Sequence, residues 1–455
     1  MNQTESSLSF LSSDRALMEG FAWAKSQALA YVFHGDPVGD WYEAALPGRE
    51  AFCMRDVSHQ CTGARVLGLG AATLNMFRAF ARNITEARDW CTLWEIDKTG
   101  APCPADYRDD SFFWYNLPAG FDVLQACLRE YLWTGDAAYL DDPALRFFYE
   151  STVTKYVHAW DKDGDGIPEH RPEYGFRGIG SYNEGPQGRD CLYGADLVAL
   201  QIAAYRAYAE LMQLRGNAGE TARFRAKASD LRERYNARWW DAKACGFHSH
   251  MEQDGTFSPA HMPESQIFPL LCEITEPGAR TRAALDALLH LDKPNVETRS
   301  YLPEVLYKYG RNHDAWQQLL ALVDPLLPRR EYPEVSFAVT GSLAVGLMGI
   351  AADARENLVA TQPRLGDAVA WAELAHVPVL NRLISVRHEA DARSTCRCEE
   401  GRPFFWKAVF PGHLESFVVD GRRMPAEYGQ GVNGQDLSWV FVRVEAGGSH
   451  SVELA

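Results

Sequence analysis

The sequence predicts a mainly α protein: an (α/α)6 barrel followed by a small antiparallel β domain. Two observations carry this. Between about Ser13 and about Ala360 the apolar residues recur at helical spacing in one segment after another. From about His376 they switch to short β-branched and aromatic runs separated by turn residues. A third observation sharpens the first. The helical segments alternate between a kind that is apolar around most of its circumference and a kind that is apolar on one face, six of each.

The contrast is clearest in the middle of the chain. Over Asp190 to Leu214, residues Leu197, Leu200, Ala203, Ala204, Tyr208, Leu211 and Leu214 cover most of a helix surface, which predicts burial nearly all round. Over Thr221 to Asp241, Phe224, Ala228, Leu231, Tyr235 and Trp239 recur at steps of four, three, four and four with charged residues between them. Mostly apolar segments lie near 57–67, 117–134, 190–214, 264–273, 297–310 and 335–350. Segments with a polar face lie near 13–33, 70–83, 142–160, 219–240, 277–290 and 312–323. A buried inner ring inside a half-exposed outer ring is what an (α/α)6 barrel requires. The expected domains are therefore 1–360, the barrel, and 361–455, a small β-sandwich-like domain, with a linker near 355–378. Asp420-Gly421 and Gly447-Gly448 read as turns between its strands, and its expected role is to pack on the barrel.

Bulk composition sets limits. With 46% hydrophobic and 23% charged residues over 455 positions, the chain has enough apolar material for a large core. A net charge of -16 excludes nucleic acid, because phosphate binding needs a concentrated cationic surface. The ten cysteines form no CxxC pair, and several, such as Cys127, sit inside apolar helical stretches, which fits a reducing compartment. The polar, Ser-rich residues 1–14 do not read as a signal peptide, and no run of 18 apolar residues occurs, so a cytoplasmic protein without a membrane partner is expected.

The segments leading into the apolar helices are long and rich in polar and aromatic residues, whereas those leaving them are short. The leading segments gather at one barrel end, over helix N-termini that favour negative charge. The first holds Met54-Arg55-Asp56 with His59 and Gln60. Asp56 fits a helix N-cap, yet this is more polarity than a cap needs. An Arg-Asp at the start of an inner helix resembles the sugar-binding signature of the six-hairpin (α/α)6 glycoside hydrolases, in their glucoamylase-like, rhamnosidase-like and glucuronidase-like branches. The resemblance implies that Arg55 and Asp56 hold the sugar at the pocket floor. Met54 stands where the signature prefers an aromatic neighbourhood.

The second leading segment offers Trp94, Asp106 and Trp114 as a sugar platform; the third offers Tyr182, Asn183, Glu184 and Arg189 in a glycine-rich loop. Glu264 precedes the fourth apolar helix, where it reads as a cap and reserve acid. Tyr332 and Glu334 precede the last. The resemblance places a general acid in a middle loop and a base before the final inner helix, hence Glu184 and Glu334. Inverting enzymes of this type hold the two carboxyls about 6.5–9.5 Å apart.

Asp161, Asp163 and Asp165 imitate the start of a calcium loop, but Pro172 stands where its twelfth-position acid belongs, and neither a metal nor another cofactor is expected. His248, His250 and His261 lack a partner that would complete a zinc set. The expected function is an exo-acting, inverting glycosidase taking a uronic acid, such as glucuronate, or a neutral hexose or deoxyhexose from an oligosaccharide or glycoconjugate. Convergence of two or more of Arg55, Arg177, Arg189 and Arg299 would point to a uronic acid. A sugar epimerase or isomerase using His59, His248 and His250, and a non-catalytic carbohydrate-binding protein, remain the alternatives.

Overall fold

A computed structural model describes residues 6–291 and 294–455. Twelve helices among the described residues build the barrel. The inner ones are α2 (Met54–Val66), α4 (Ala119–Thr134), α6 (Ala195–Leu214), α8 (Pro263–Leu271), α10 (Val296–Lys308) and α12 (Pro333–Gly341). The outer ones are α1 (Arg15–Ala30), α3 (Gly70–Arg82), α5 (143–160, through a π turn at Thr152–Tyr156), α7 (Ala218–Arg238), α9 (Ala279–Leu289) and α11 (Asn312–Val323). Each inner helix packs on the next and α12 closes on α2, so the ring is complete.

Burial follows the sequence pattern. Helix α6 is buried from Ala195 to Met212 on nearly every side, whereas α7 buries Thr221, Phe224, Ala228, Leu231 and Tyr235 and leaves its charged residues outside. The closure between α2 and α12 depends on a small residue. A Cβ at Gly63 would collide with the Phe337 carbonyl, so only glycine lets these two backbones approach this closely. That approach packs α12 closely along α2.

The β domain has strands β1 (Ser9–Ser12), β2 (Ala351–Asp353), β3 (Leu358–Thr361), β4 (Trp371–Val379), β5 (Arg382–Glu389), β6 (Arg393–Glu400), β7 (Phe404–Pro411), β8 (Ser416–Val419), β9 (Arg422–Pro425), β10 (Glu427–Gln430), β11 (Asp436–Val444) and β12 (Ser449–Leu454). One sheet runs β1-β4-β5-β6-β12-β8-β9 and the other β2-β3-β7-β11-β10, with β3 parallel to β7. Asp420 and Gly421, both at positive φ (47° and 80°), turn β8 into β9 as their sequence predicts. The division expected between 360 and 361 falls inside β3, and the polar N-terminus supplies β1, which pairs Ser9–Ser12 with Ala372–Ala375. The domain docks at the C-terminal ends of the inner helices, where Trp133 donates through Nε1 to the Pro378 carbonyl at 2.7 Å.

Candidate active site

Every inner helix carries an acid in its first turn: Asp56, Asp122, Asp196, Glu264, Glu297 and Glu334. Of the outer helices only α7 and α11 do, with Glu220 and Asp314. The free N–H groups and dipole of a helix N-terminus favour a carboxylate there, which offsets part of the cost of burying it. Asp56 is not the cap that its position implies. Helix α2 begins at Met54 behind Cys53, so Asp56 lies inside the first turn. Glu264 likewise follows the cap position of its helix, which Met262 occupies.

A cleft with two lobes opens over this ring, and Arg55, Glu184 and Glu297 line both. The smaller lobe, about 260 Å³, is walled by Trp94 and Trp114 and floored by Asp56 and Glu334, with Arg49, Glu95 and Asp106 at one side. The larger, about 390 Å³, is walled by Tyr182, Met262, Phe268 and Tyr301, with Asn183 and Glu264 as polar groups. A short ribbon sets the first wall. Ala51–Cys53 pairs antiparallel with Glu95–Asp97, and the Met54 N–H donates to the Trp94 carbonyl at 3.1 Å, which delivers Trp94 and Glu95 beside Arg55 and Asp56.

Arg55 is the electrostatic hub. Its guanidinium stands 3.5 Å from Asp56 and 3.5 Å from Glu184, over the Tyr182 ring. Glu334 is 4% exposed. Burial, then the charges of Asp56 and Glu297, hold its carboxyl well above the usual carboxylate range, against the lowering by Arg55. Burial also raises Asp56, with Arg55 opposing it. Glu184 stands at the mouth with 39% of its side chain exposed, and desolvation still raises its carboxyl against Arg55. In the smaller lobe Arg49 reaches both Glu95, at 2.9 Å, and Asp106, at 2.8 Å. Burial and then the neighbouring Asp106 push Glu95 up to about 8, against the lowering by Cys103 and Arg49.

The structure brings together Arg55, Asp56, Trp94, Asp106, Trp114, Tyr182, Asn183, Glu184, Glu264 and Glu334 as cleft-lining residues. It leaves out His59, Arg189 and Tyr332. His59 lies inside the barrel, its Nε2 at 2.8 Å from Ser300 Oγ and its ring stacked 3.7 Å from Tyr301; burial, then Arg129 and Arg55, lower it to about 3, so it is neutral. Arg189 rests over Phe176, which in turn stacks on Trp114, so it stands one layer behind the wall. Tyr332 takes the cap position of α12 and receives Arg329 on its ring face.

Sequence reasoning missed Glu297, Glu95 and Arg49. Glu297 lies one residue inside α10, and its Oε2 is buried with no hydrogen-bond partner among the described residues. The available signal was an acid at the start of an apolar helix, the same signal that marks Glu334. Away from the cleft, carboxylate oxygens of Asp161, Asp163 and Glu169 lie within 4.8 Å of one another, while Asp165 faces Arg234 at 3.9 Å instead. His250 pairs with Glu252 and His261 with Asp241, so the three histidines do not converge on one point.

No family model and no curated protein matches the sequence. Solved structures match its fold. A GH78 family rhamnosidase of Bacillus sp. GL1 superposes with a TM-score of 0.62 at 17% identity, over 87% of this chain and 42% of that one. An α-L-rhamnosidase from Dictyoglumus thermophilum gives 0.62 at 14%, over 99% and 50%. A glycosidase in complex with glucose gives 0.52 at 12%, over 72% and 96%. These structures share the chain's fold, and the chain spans half or less of the length of the two rhamnosidases.

Proposed function

We propose that this chain is a glycoside hydrolase that removes one terminal neutral sugar, exo-acting and with inversion. The observation that carries the reading is the placement of Glu184 and Glu334 in one cleft, the first at the junction of its lobes and the second at the floor of the smaller lobe. Glycosidic cleavage needs a protonated carboxyl beside the leaving oxygen and an ionised one that activates water. Burial raises both carboxyls, so position assigns the roles: a glycosidic oxygen spanning the two lobes lies against Glu184, which lines both. Glu334 then acts as base on the sugar held between Trp94 and Trp114, and the leaving group occupies the larger lobe. Inversion requires about 6.5–9.5 Å between the two carboxyls, which leaves room for the attacking water. The rhamnosidases and the glucose-bound glycosidase that share the fold support removal of a single sugar.

A neutral sugar is favoured over a uronic acid by the pairing of the arginines. Of Arg55, Arg177, Arg189 and Arg299, only Arg55 lines the cleft, where it faces Asp56 and Glu184; Arg49, which lines it too, faces Glu95 and Asp106. Arg177 pairs with Asp89 instead. Proton shuttling by histidine, as an epimerase needs, finds no support, because among the described residues no histidine lines either lobe. The ten free cysteines agree with a reducing compartment, and among the described residues no helix is long and apolar enough to cross a membrane.

A panel of aryl glycosides of neutral hexoses, deoxyhexoses and glucuronic acid tests the reading, with proton NMR of the first product formed. Hydrolysis of a neutral glycoside to the opposite anomer is expected. Hydrolysis of the glucuronide alone would overturn the neutral-sugar assignment, and hydrolysis of none would overturn the enzyme.

A further inference from the structure

Four of the six first-turn acids, Asp56, Glu264, Glu297 and Glu334, line the cleft. Asp122 and Asp196 do not, yet both reach the turn that carries Glu184. Asp196 is 1% exposed and spends its carboxylate on that turn: it accepts the Tyr182 N–H at 2.5 Å and the Ser181 hydroxyl at 3.0 Å. Ser181 Oγ in turn accepts the Asn183 N–H at 3.0 Å, and Asn183 Oδ1 accepts the Gly185 N–H at 3.0 Å. Glu184 therefore hangs between two residues whose backbone is fixed, through a short relay, by one buried carboxylate. Asp122 holds the same turn from another helix by accepting the Tyr182 hydroxyl at 3.1 Å, and Asn116 donates to the Ser181 carbonyl at 2.7 Å.

The local sequence is shaped around this contact. A Cβ on Gly194 would strike the Asp196 carboxylate and the Ser181 side chain, so only glycine lets the turn come this close to the start of α6. The cap residue of α6 is that same Gly194 and offers no side-chain cap, so the carboxylate of Asp196 serves the neighbouring turn.

We propose that Asp196 is a positioning residue for the reaction: it holds the Ser181–Gly185 turn so that the Glu184 carboxyl stays at the junction of the two lobes. The proposal rests on the hydrolase reading above. Hydrogen bonds that a backbone N–H and a hydroxyl donate to a buried carboxyl group are among the stronger local constraints, and losing them frees the residue that they orient.

The test compares wild type, Asp196→Asn and Ser181→Ala by hydrolysis of the best aryl glycoside and by amide hydrogen exchange. Asp196→Asn is expected to lower kcat about ten-fold with KM within about two-fold, because Glu184 is misplaced while the sugar lobe is untouched. Exchange of the 180–185 amides should speed up by a similar factor, with 195–214 unchanged. Ser181→Ala should move both readouts the same way by less. A turn that exchanges as in wild type with an unchanged kcat overturns the proposal, and so does general loss of protection through α6, which would mean a structural role only. Should Asp196→Asn fail to fold, Ser181→Ala decides by the same two readouts. If wild type hydrolyses no glycoside the hydrolase reading falls, whereas the exchange comparison still reports whether Asp196 fixes the turn.

Discussion

At one end of the inner ring the first turns of α2, α10 and α12 bring Asp56, Glu297 and Glu334 into each other's field. At the other end Arg65, Arg129, Lys308 and Arg364 surround a second cavity of about 390 Å³, beneath the β domain. The signs follow from the helices themselves, since N-termini favour anions and C-termini cations. What differs is how the charges are matched. Each far-end cation has a partner inside the protein. Arg65 pairs with Glu130 at 3.2 Å and Lys308 with Glu273 at 3.1 Å. Arg129 donates to the Ser58 carbonyl at 2.9 Å and Arg364 to the Val345 carbonyl at 2.9 Å. In the cleft, Arg49 and Arg55 face four of seven carboxyls, Arg329 stands 3.8 Å from Glu297, and Glu264 and Glu334 have no ion pair among the described residues. A charge matched internally holds the structure together; one held unmatched at an open cleft is available for chemistry.

Substitutions at the two ends should therefore separate stability from activity. The largest effect on stability belongs to Arg65→Ala, which removes the ion-pair partner of the fully buried Glu130. A loss of about 3–5 kcal/mol is expected in denaturant titration, with kcat per folded molecule unchanged. A marked fall in kcat at full stability would erase the contrast.

Glu334→Gln should do the reverse to stability, in a pH-dependent way. Because the folded protein holds the Glu334 carboxyl well above its ordinary value of 4.5, the folded state binds this proton more tightly than the unfolded state does. That contribution is fully present below the ordinary value and is lost as pH rises through the raised one. The variant lacks the titration, so its Tm relative to wild type should climb steadily from acid to alkaline pH. A flat difference would mean that burial and the Asp56 and Glu297 charges do not act on this carboxyl. The smallest effects are expected for Arg189→Ala and Tyr332→Phe, whose side chains stand outside the lining; each should keep hydrolysis within about two-fold of wild type.

Much of this architecture is legible in the sequence. Periodicity separates α6 from α7 without any structure, because burial on all sides and burial on one face leave different apolar patterns. The ring of acids was only partly legible, and the reason is a matter of boundaries. The apolar segments begin near 117 and 190, but α4 starts at Ala119 and α6 at Ala195. A start placed too early carries Asp122 and Asp196 into the helix interior, where an acid carries no signal. Glu297 was hidden differently, at the edge of a segment read for its apolar residues. His59 was misplaced because its helical phase points it along the barrel towards Ser300, a contact between α2 and α10 that no local pattern encodes. Strand β1 escaped for the same reason, since Ser9–Ser12 becomes a strand only by pairing with residues more than 350 positions away.

The most direct test of the central claim, that the Glu184 and Glu334 carboxyls do the chemistry, is hydrolysis of an aryl glycoside by Glu184→Gln and Glu334→Gln beside wild type, with Tm measured on the same samples. Loss of about 100-fold or more in kcat from each, with Tm equal to or above that of wild type, is the predicted result. Full activity in both variants would contradict the account.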